Sequence, residues 1–291
     1  MSLKICIPAI AAFLLVACGG DSSKAIDVDT SATESNLVVA TFGDLHVCTY
    51  NREGVKAYVK DEKCGYSCTD RDWRFDYLSI LKEDFFNPKI TYGTMTDDRD
   101  GQTYKTVRVG DQEWMAENLN YQVDSSFCYK DSVKRCEKYG RLYQWAAAIG
   151  KSEEECGFEH TCGLSGKVRG VCPVGWHLPD STEWEALFIG VGGQYIEYEG
   201  YSTVGKILKS QRGWLKRGNG TDAFGFTALP AGVRNAGSHF SYFGEEVAYI
   251  WGADEIDSVS AYFVSLDYDS DRVSPFTLGK NSAASVRCLK D

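Results

Sequence analysis

Positive charge is in short supply in this chain: 31 Lys and Arg stand against 41 Asp and Glu, a formal net charge of −10 at pH 7. That balance argues against nucleic acid or an anionic membrane face as the partner. Histidine is scarcer still, with four scattered residues, His46, His160, His177 and His239. No Cys-x-x-Cys pair occurs, the closest spacing being Cys64 to Cys68, so a zinc site does not fit. The acidic run Asp97-Asp98-Arg99-Asp100-Gly101 lacks the glycine and glutamate positions of an EF-hand loop and reads as a plain turn. No Ser/His/Asp or paired-acid arrangement stands at a recognisable catalytic spacing, and no catalytic residue is assigned. The apolar stretch near the start, Ile5 to Leu15, is too short to span a bilayer.

That stretch has the length of a signal-peptide core instead. It follows Lys4 and closes on Leu15-Val16-Ala17-Cys18, which opens directly onto Gly19-Gly20-Asp21-Ser22-Ser23. Small residues before a cysteine match the cut site of a bacterial lipoprotein, so residues 1–17 are expected to be a signal peptide and Cys18 an acylated membrane anchor. Gly19-Gly20 carries no inner-membrane retention signal, which points to the outer membrane or the cell surface.

Cysteine use agrees with export. Removing Cys6 with the signal and Cys18 as the anchor leaves nine of the 11 cysteines. They fall into local sets that favour Cys48–Cys68, Cys128–Cys136, Cys156–Cys162 and the distant pair Cys172–Cys288, with Cys64 left over, although spacing alone does not fix connectivity. Chain entropy makes the short loops worth roughly 2.5 kcal/mol each and the longest about 5 kcal/mol.

Residues 18–36 are polar and short-chained and are expected to form a flexible tether. Runs such as Leu37–Phe42, Val47–Tyr50, Val55–Val59, Tyr66–Cys68 and Trp73–Phe75, separated by Gly, Asn and Asp, predict a small disulfide-stapled β module over 37–80. A hairpin pattern follows, with Thr103–Val109 beyond the acidic turn. The segment 138–149 is rich in helix formers and predicts a helix burying Leu142, Trp145, Ala146 and Ile149. A second helix starts at Asp180 or Ser181, with Asp180 and Glu183 at capping-box spacing and Trp184, Leu187 and Phe188 as its buried stripe. Short strands resume at 224–230, 248–251, 260–266 and 285–289. The sum is an α+β fold with two central helices, short strands and long disulfide-stapled loops.

Five ordered motifs carry a family resemblance: Trp114-Met115-Ala116-Glu117-Asn118-Leu119-Asn120-Tyr121, Cys136-Glu137-Lys138-Tyr139-Gly140-Arg141-Leu142-Tyr143, Cys172-Pro173-Val174-Gly175-Trp176-His177-Leu178-Pro179, Gly225-Phe226-Thr227-Ala228-Leu229-Pro230-Ala231-Gly232 and Ser285-Val286-Arg287-Cys288-Leu289. Over residues 90–291 the chain resembles the Fibrobacter succinogenes major paralogous domain. That family is similar in turn to the C-type lectin-like fold of formylglycine-generating enzymes. The resemblance implies a lectin-like domain over 90–291 and no oxidase chemistry, because the enzymes' closely spaced cysteine pair is absent: Cys288 is the only cysteine after Cys172.

In lectin-like relatives the ligand face is built from late strands and loops. The corresponding stretch offers Tyr249, Trp251, Tyr262, Tyr268, Asp269, Asp271 and Arg272, with Asp254 and Glu255 nearby. Flat rings stack on sugar faces and carboxylates accept hydroxyl hydrogen bonds, and the same set suits a protein partner. Trp251 and alternate residues of 262–266 also fit a core strand. The expected function is lipid-anchored surface binding or adhesion without catalysis or a cofactor, with calcium in the acidic loops left open. Structural assembly in the envelope, or a residual enzyme using His177 or His239, are the alternatives.

Overall fold

Short β-prone runs between Gly and Asp turns build the first of the two units into which the chain divides, Met1–Phe85 and Phe86–Asp291. The computed structural model describes residues 36–62, 64–76, 79–215, 218–237, 240, 244 and 246–291. The expected signal peptide, the Cys18 anchor, nearly all of the tether and His239 lie outside the described residues.

In the first unit β1 (Asn36–Val39), β2 (Lys56–Val59), β3 (Cys64–Thr69) and β4 (Asp72–Phe75) form one sheet in that order. The β1–β2 pair is parallel and the others antiparallel. The stretch Val47–Tyr50, expected as a strand, is irregular and passes into a 3-10 turn at Tyr50–Arg52. Cys48 is drawn inward by its bond to Cys68, while Val47 and Tyr50 stay exposed. Cys64 is buried outside every disulfide, its Sγ 2.9 Å from the Glu62 carbonyl.

The second unit opens with β5 (Gly93–Thr96), β6 (Thr103–Val109) and β7 (Gln112–Met115). The acidic β5–β6 turn is consumed internally. Buried Asp97 accepts from the Arg99 backbone N–H and guanidinium, and these bonds, outweighing burial, hold its carboxyl below the usual range. There follow β8 (Ser126–Phe127), α1 (Val133–Tyr139), β9 (Leu142–Gln144), α2 (Trp145–Ala148), α3 (Glu153–Cys156), β10 (Trp176–His177) and α4 (Ser181–Gly190). The remaining elements are β11 (Gln194–Ile196), β12 (Gly200–Ser202), α5 (Val204–Leu208), β13 (Val247–Glu255), β14 (Ser260–Asp267), β15 (Val273–Gly279), β16 (Ala283–Ser285) and β17 (Leu289–Lys290). Among the described residues they form a five-stranded sheet, β10-β17-β7-β6-β5, and an eight-stranded sheet, β11-β12-β15-β14-β13-β16-β9-β8.

Two expectations fail for backbone reasons. The helix over 138–149 is broken at Gly140, whose φ is +78°, and Leu142–Gln144 pairs with β16 and β8 instead. A Cβ at Gly140 would lie 2.7 Å from that of Asn118, so this crossing requires glycine. The expected strand at 224–230 makes only an isolated bridge, Ala228 to Lys209. Gly225 and Thr227 take positive φ there, which turns the Phe226 and Thr227 carbonyls towards the guanidinium of Arg287. The helix α4 forms as expected, with a complete Asp180–Glu183 capping box and Trp184, Leu187 and Phe188 buried.

The long strands β13 and β14 are buried on both faces. Ala248, Ile250, Val264 and Leu266 pack with α4, Trp114 and Phe226; Trp251, Ala253, Ala261 and Phe263 pack on the other side with Trp145, Trp176 and Leu178. The bond Cys172–Cys288 lies in that second core. Disulfides also join Cys128–Cys136 and Cys156–Cys162. The four bonds are those that the local cysteine sets favour.

Against the Phe226 ring lies a buried polar group. Arg287 is fully buried; its Nε donates to Asn118 Oδ1 at 2.8 Å, and its two terminal nitrogens donate to the Phe226 and Thr227 carbonyls. Buried Asp222 accepts from the Thr227 N–H at 2.6 Å and its hydroxyl at 2.9 Å. Burial pushes the Asp222 carboxyl up to about 6, against the Thr227 hydrogen bonds and the Arg287 charge.

Two predictions follow from this construction. Replacing Cys172 and Cys288 with Ser opens a 116-residue closure and is expected to cost about 5 kcal/mol, against about 2.5 kcal/mol for Cys128 and Cys136; urea unfolding separates them, and equal losses would contradict the loop argument. Because the Asp222 carboxyl is raised, the folded state binds its proton more tightly than the unfolded state does. Its contribution to stability therefore falls as pH rises from about 4 to about 6, by on the order of 2 kcal/mol. The stability difference between the wild type and Asp222→Asn should shift across that window, and a constant difference would refute the assignment.

Candidate functional site

The sheet ends in a small exposed hairpin. Strand β11, Gln194-Tyr195-Ile196, pairs with β12, and β12 joins the sheet only through Tyr201 opposite Val273 of β15. Gly200, at φ +84°, permits the approach: a Cβ there would stand 2.4 Å from the Val273 carbonyl oxygen. Between the strands Tyr198 takes φ +64° and is 94% exposed. Left-handed backbone under a bulky side chain costs roughly 1–2 kcal/mol. No packing of the Tyr198 ring offsets that cost, since the ring stands in solvent.

The rest of the hairpin is braced from below. Tyr195, 60% exposed, leans on Tyr201 with ring centroids 5.3 Å apart. Tyr201 stacks on Phe188 of α4 at 5.0 Å, Phe188 on Trp184 at 5.9 Å, and Trp184 on Trp114 at 4.7 Å. The Tyr201 hydroxyl donates to Glu185 at 2.6 Å, and burial together with that carboxylate pushes its phenol well up. A surface tyrosine is thus the outermost ring of a stack that begins in the core. Ile189 and Ile196 add exposed apolar surface nearby in sequence.

The second part of the site is the β14–β15 turn. Asp269, Asp271 and Arg272 are exposed in it, and Arg272 forms an ion pair with Glu199 of the hairpin. These three residues of the expected ligand set therefore stand beside the hairpin. The aromatic members of that set do not join them. Trp251 is fully buried, its indole N–H donating to the Tyr143 carbonyl at 2.7 Å, which removes it from any ligand face. Tyr249 packs on Phe263 at 4.8 Å in the same core as Trp251. Tyr262 and Tyr268 pack against the opposite core. Strands covered on both faces leave no aromatic row for a ligand.

Sequence reasoning did not single out Tyr195, Ile196, Tyr198 and Glu199, which the fold brings to this exposed hairpin. A readable signal existed: an alternating run, Gln194-Tyr195-Ile196-Glu197-Tyr198-Glu199, bounded by Gly192-Gly193 and Gly200, is a hairpin pattern.

His177 lies elsewhere, in the wall of a cleft of about 460 Å³. Its Nε2 meets Glu183 at 2.9 Å and its Nδ1 meets Asp291 at 2.8 Å. With both ring nitrogens engaged by carboxylates, neither is presented to a substrate. The cleft's other acids are likewise occupied. Asp180 caps α4, Asp254 accepts from the Ser181 N–H at 2.6 Å, and Glu255 binds the buried Lys280 ammonium and the Cys162 N–H. Burial raises the Glu255 carboxyl, but Lys280 and the two backbone donors outweigh it and hold it low. Among the described residues no cluster of three His, Cys, Asp or Glu side chains is placed to hold a metal ion, and no helix is long and apolar enough to cross a membrane.

The backbone strain at Tyr198 gives a test of the site's character. Tyr198→Gly is expected to raise unfolding free energy by about 0.5–1 kcal/mol, because relief of the left-handed conformation outweighs the added freedom of the unfolded chain. Chemical denaturation checks this; a clear loss of stability would mean that the ring makes contacts the fold needs.

Compared with known proteins, residues 107–290 match the family model described as the Fibrobacter succinogenes major domain. No curated protein and no solved structure matches the chain.

Proposed function

Since the chain belongs to the Fibrobacter succinogenes major domain family, we propose that it is a non-catalytic binding protein of the cell surface. In this reading it is held by a lipid on Cys18 and takes a polysaccharide on the β11–β12 hairpin and the adjoining β14–β15 turn. The observation that carries the reading is the hairpin itself: two exposed tyrosines, one strained and one braced by a ring stack, beside exposed carboxylates and Arg272. Pyranose faces stack on such rings while Asp269, Asp271 and Glu197 accept hydroxyl hydrogen bonds. Support for a non-catalytic role comes from His177, whose ring nitrogens are both committed to carboxylates. The lipoprotein reading rests on Leu15-Val16-Ala17-Cys18, and four disulfides agree with an oxidising compartment. We further assign the domain to the C-type lectin-like class. Its late strand β17 pairs with the early strand β7, and disulfide-stapled loops lie between them.

The oxidised fragment 19–291, with the anchor removed, is the probe for a panel of plant-cell-wall polysaccharides and glycans. Saturable binding is expected, with Tyr195→Ala, Tyr198→Ala and Arg272→Ala each weakening it about tenfold or more. No binding across the panel would refute the polysaccharide reading and leave a protein partner.

A further inference from the structure

The β14–β15 turn has an unusual underside. Lys209, immediately after α5, is 1% exposed, and its ammonium lies beneath the turn. It donates to the carbonyls of Asp267 and Ser270 at 2.8 Å each, with the Tyr268 carbonyl at 3.4 Å. Three donors thus meet three backbone acceptors, and the Trp214 ring stands 5.2 Å from the charge. The same helix fixes the turn twice more. The Lys206 N–H donates to the Asp271 carbonyl at 3.2 Å, and Gly205 lies so close to Arg272 that a Cβ would sit 2.4 Å from its carbonyl oxygen.

The turn therefore points its carbonyls inward at a positive charge and leaves the Asp269 and Asp271 side chains exposed. A ring of backbone carbonyls around a buried cation is the arrangement with which loops hold metal ions. Here the cation is part of the chain. We propose that Lys209 is a built-in replacement for a metal ion, ordering the β14–β15 turn so that ligand capture through it requires no divalent cation. Burial, helped by the nearby Lys206 charge, pulls the Lys209 ammonium down to about 8 against the attraction of Asp271, Asp267 and Asp269. Lys209 is a positioning residue in this scheme. Its importance for binding rests on the reading of the turn as part of the ligand face, whereas the ordering of the turn does not.

The test accordingly uses no polysaccharide. Amide hydrogen exchange is followed at residues 268–272 and, as an internal reference, in β13. In the wild type, exchange at the turn should be the same in saturating calcium as in chelator; a saturable calcium-dependent slowing there would overturn the proposal. In Lys209→Ala, exchange at the turn is expected to rise about tenfold or more while β13 keeps its protection, the loss of a charge-assisted set of hydrogen bonds. Methylammonium chloride should restore the slow exchange, and tetramethylammonium, which has no N–H to donate, should not. Unchanged exchange in the variant, or restoration by both salts alike, would show that the charge and its donors are not what orders the turn. Should the variant fail to fold, the wild-type calcium comparison decides alone. Because neither arm involves a ligand, failure here is distinct from failure to bind polysaccharide.

Discussion

The buried guanidinium of Arg287 is the constraint from which the larger unit is built. Taking a charge out of water is costly, and hydrogen-bond partners for its nitrogens offset that cost. The partners here are Asn118, from the segment after β7, and two carbonyls of the 225–232 segment. Those carbonyls can face inward only because the 225–232 segment abandons strand geometry, with Gly225 and Thr227 at positive φ. The next two residues extend the same spine: Cys288 closes the long disulfide to Cys172, and Leu289 pairs with Trp114. Three motifs distant in sequence thus converge on one cation. Removing Arg287 would leave the Phe226 and Thr227 carbonyls and Asn118 Oδ1 without the donors they meet there, a larger loss than any single core methyl group.

This constraint also explains what could be read from the sequence and what could not. Local signals were legible. Asp180 and Glu183 at capping spacing before Trp184, Leu187 and Phe188 specify α4 without help from elsewhere, and cysteines close in sequence pair with one another. Non-local demands were not. The composition of 138–149 favours a helix, but Gly140 must pass against Asn118, and Leu142–Gln144 is claimed by β16. The composition of 224–230 favours a strand, but Arg287 claims its carbonyls. In both places a partner more than twenty residues away outbids local propensity, as tertiary context routinely does.

The aromatics expected on a ligand face pack into the interior for a related reason. A strand with aromatics at alternate positions looks like a display surface when one face is wet. β13 and β14 are packed on both faces, so Trp251 is fully buried and Tyr249, Tyr262 and, just past β14, Tyr268 are partly buried against one core or the other, while Asp269, Asp271 and Arg272 of the turn are exposed. The exposed aromatics Tyr195 and Tyr198 lie instead on the hairpin at the edge of the sheet. That edge is otherwise a hazard, since unpaired strand groups invite association. It is short, three residues in β11, and its tip carries Glu197 and Glu199, which discourage pairing with another acidic copy of the chain.

The division between rigid support and exposed edge sets what such a face can do. The ring stack through Tyr201, Phe188 and Trp184 and the Lys209 cage both fix backbone before any ligand arrives, so little ordering entropy remains to be lost on binding. The exposed part is nevertheless small: two tyrosines, two isoleucines and a few charged groups. Flat rings and hydroxyl acceptors on this scale give modest affinity per contact, and the excess of carboxylates adds no long-range attraction for an acidic polymer. Under the proposed lipid anchorage, display of many copies lifts that limit. Many copies facing one repeating polysaccharide convert weak single contacts into avidity, because each engaged copy raises the effective concentration of the next. Under the proposed function, a small stiff face displayed in many copies suits a repetitive surface, whereas capture of a single soluble molecule would call for an enclosing pocket.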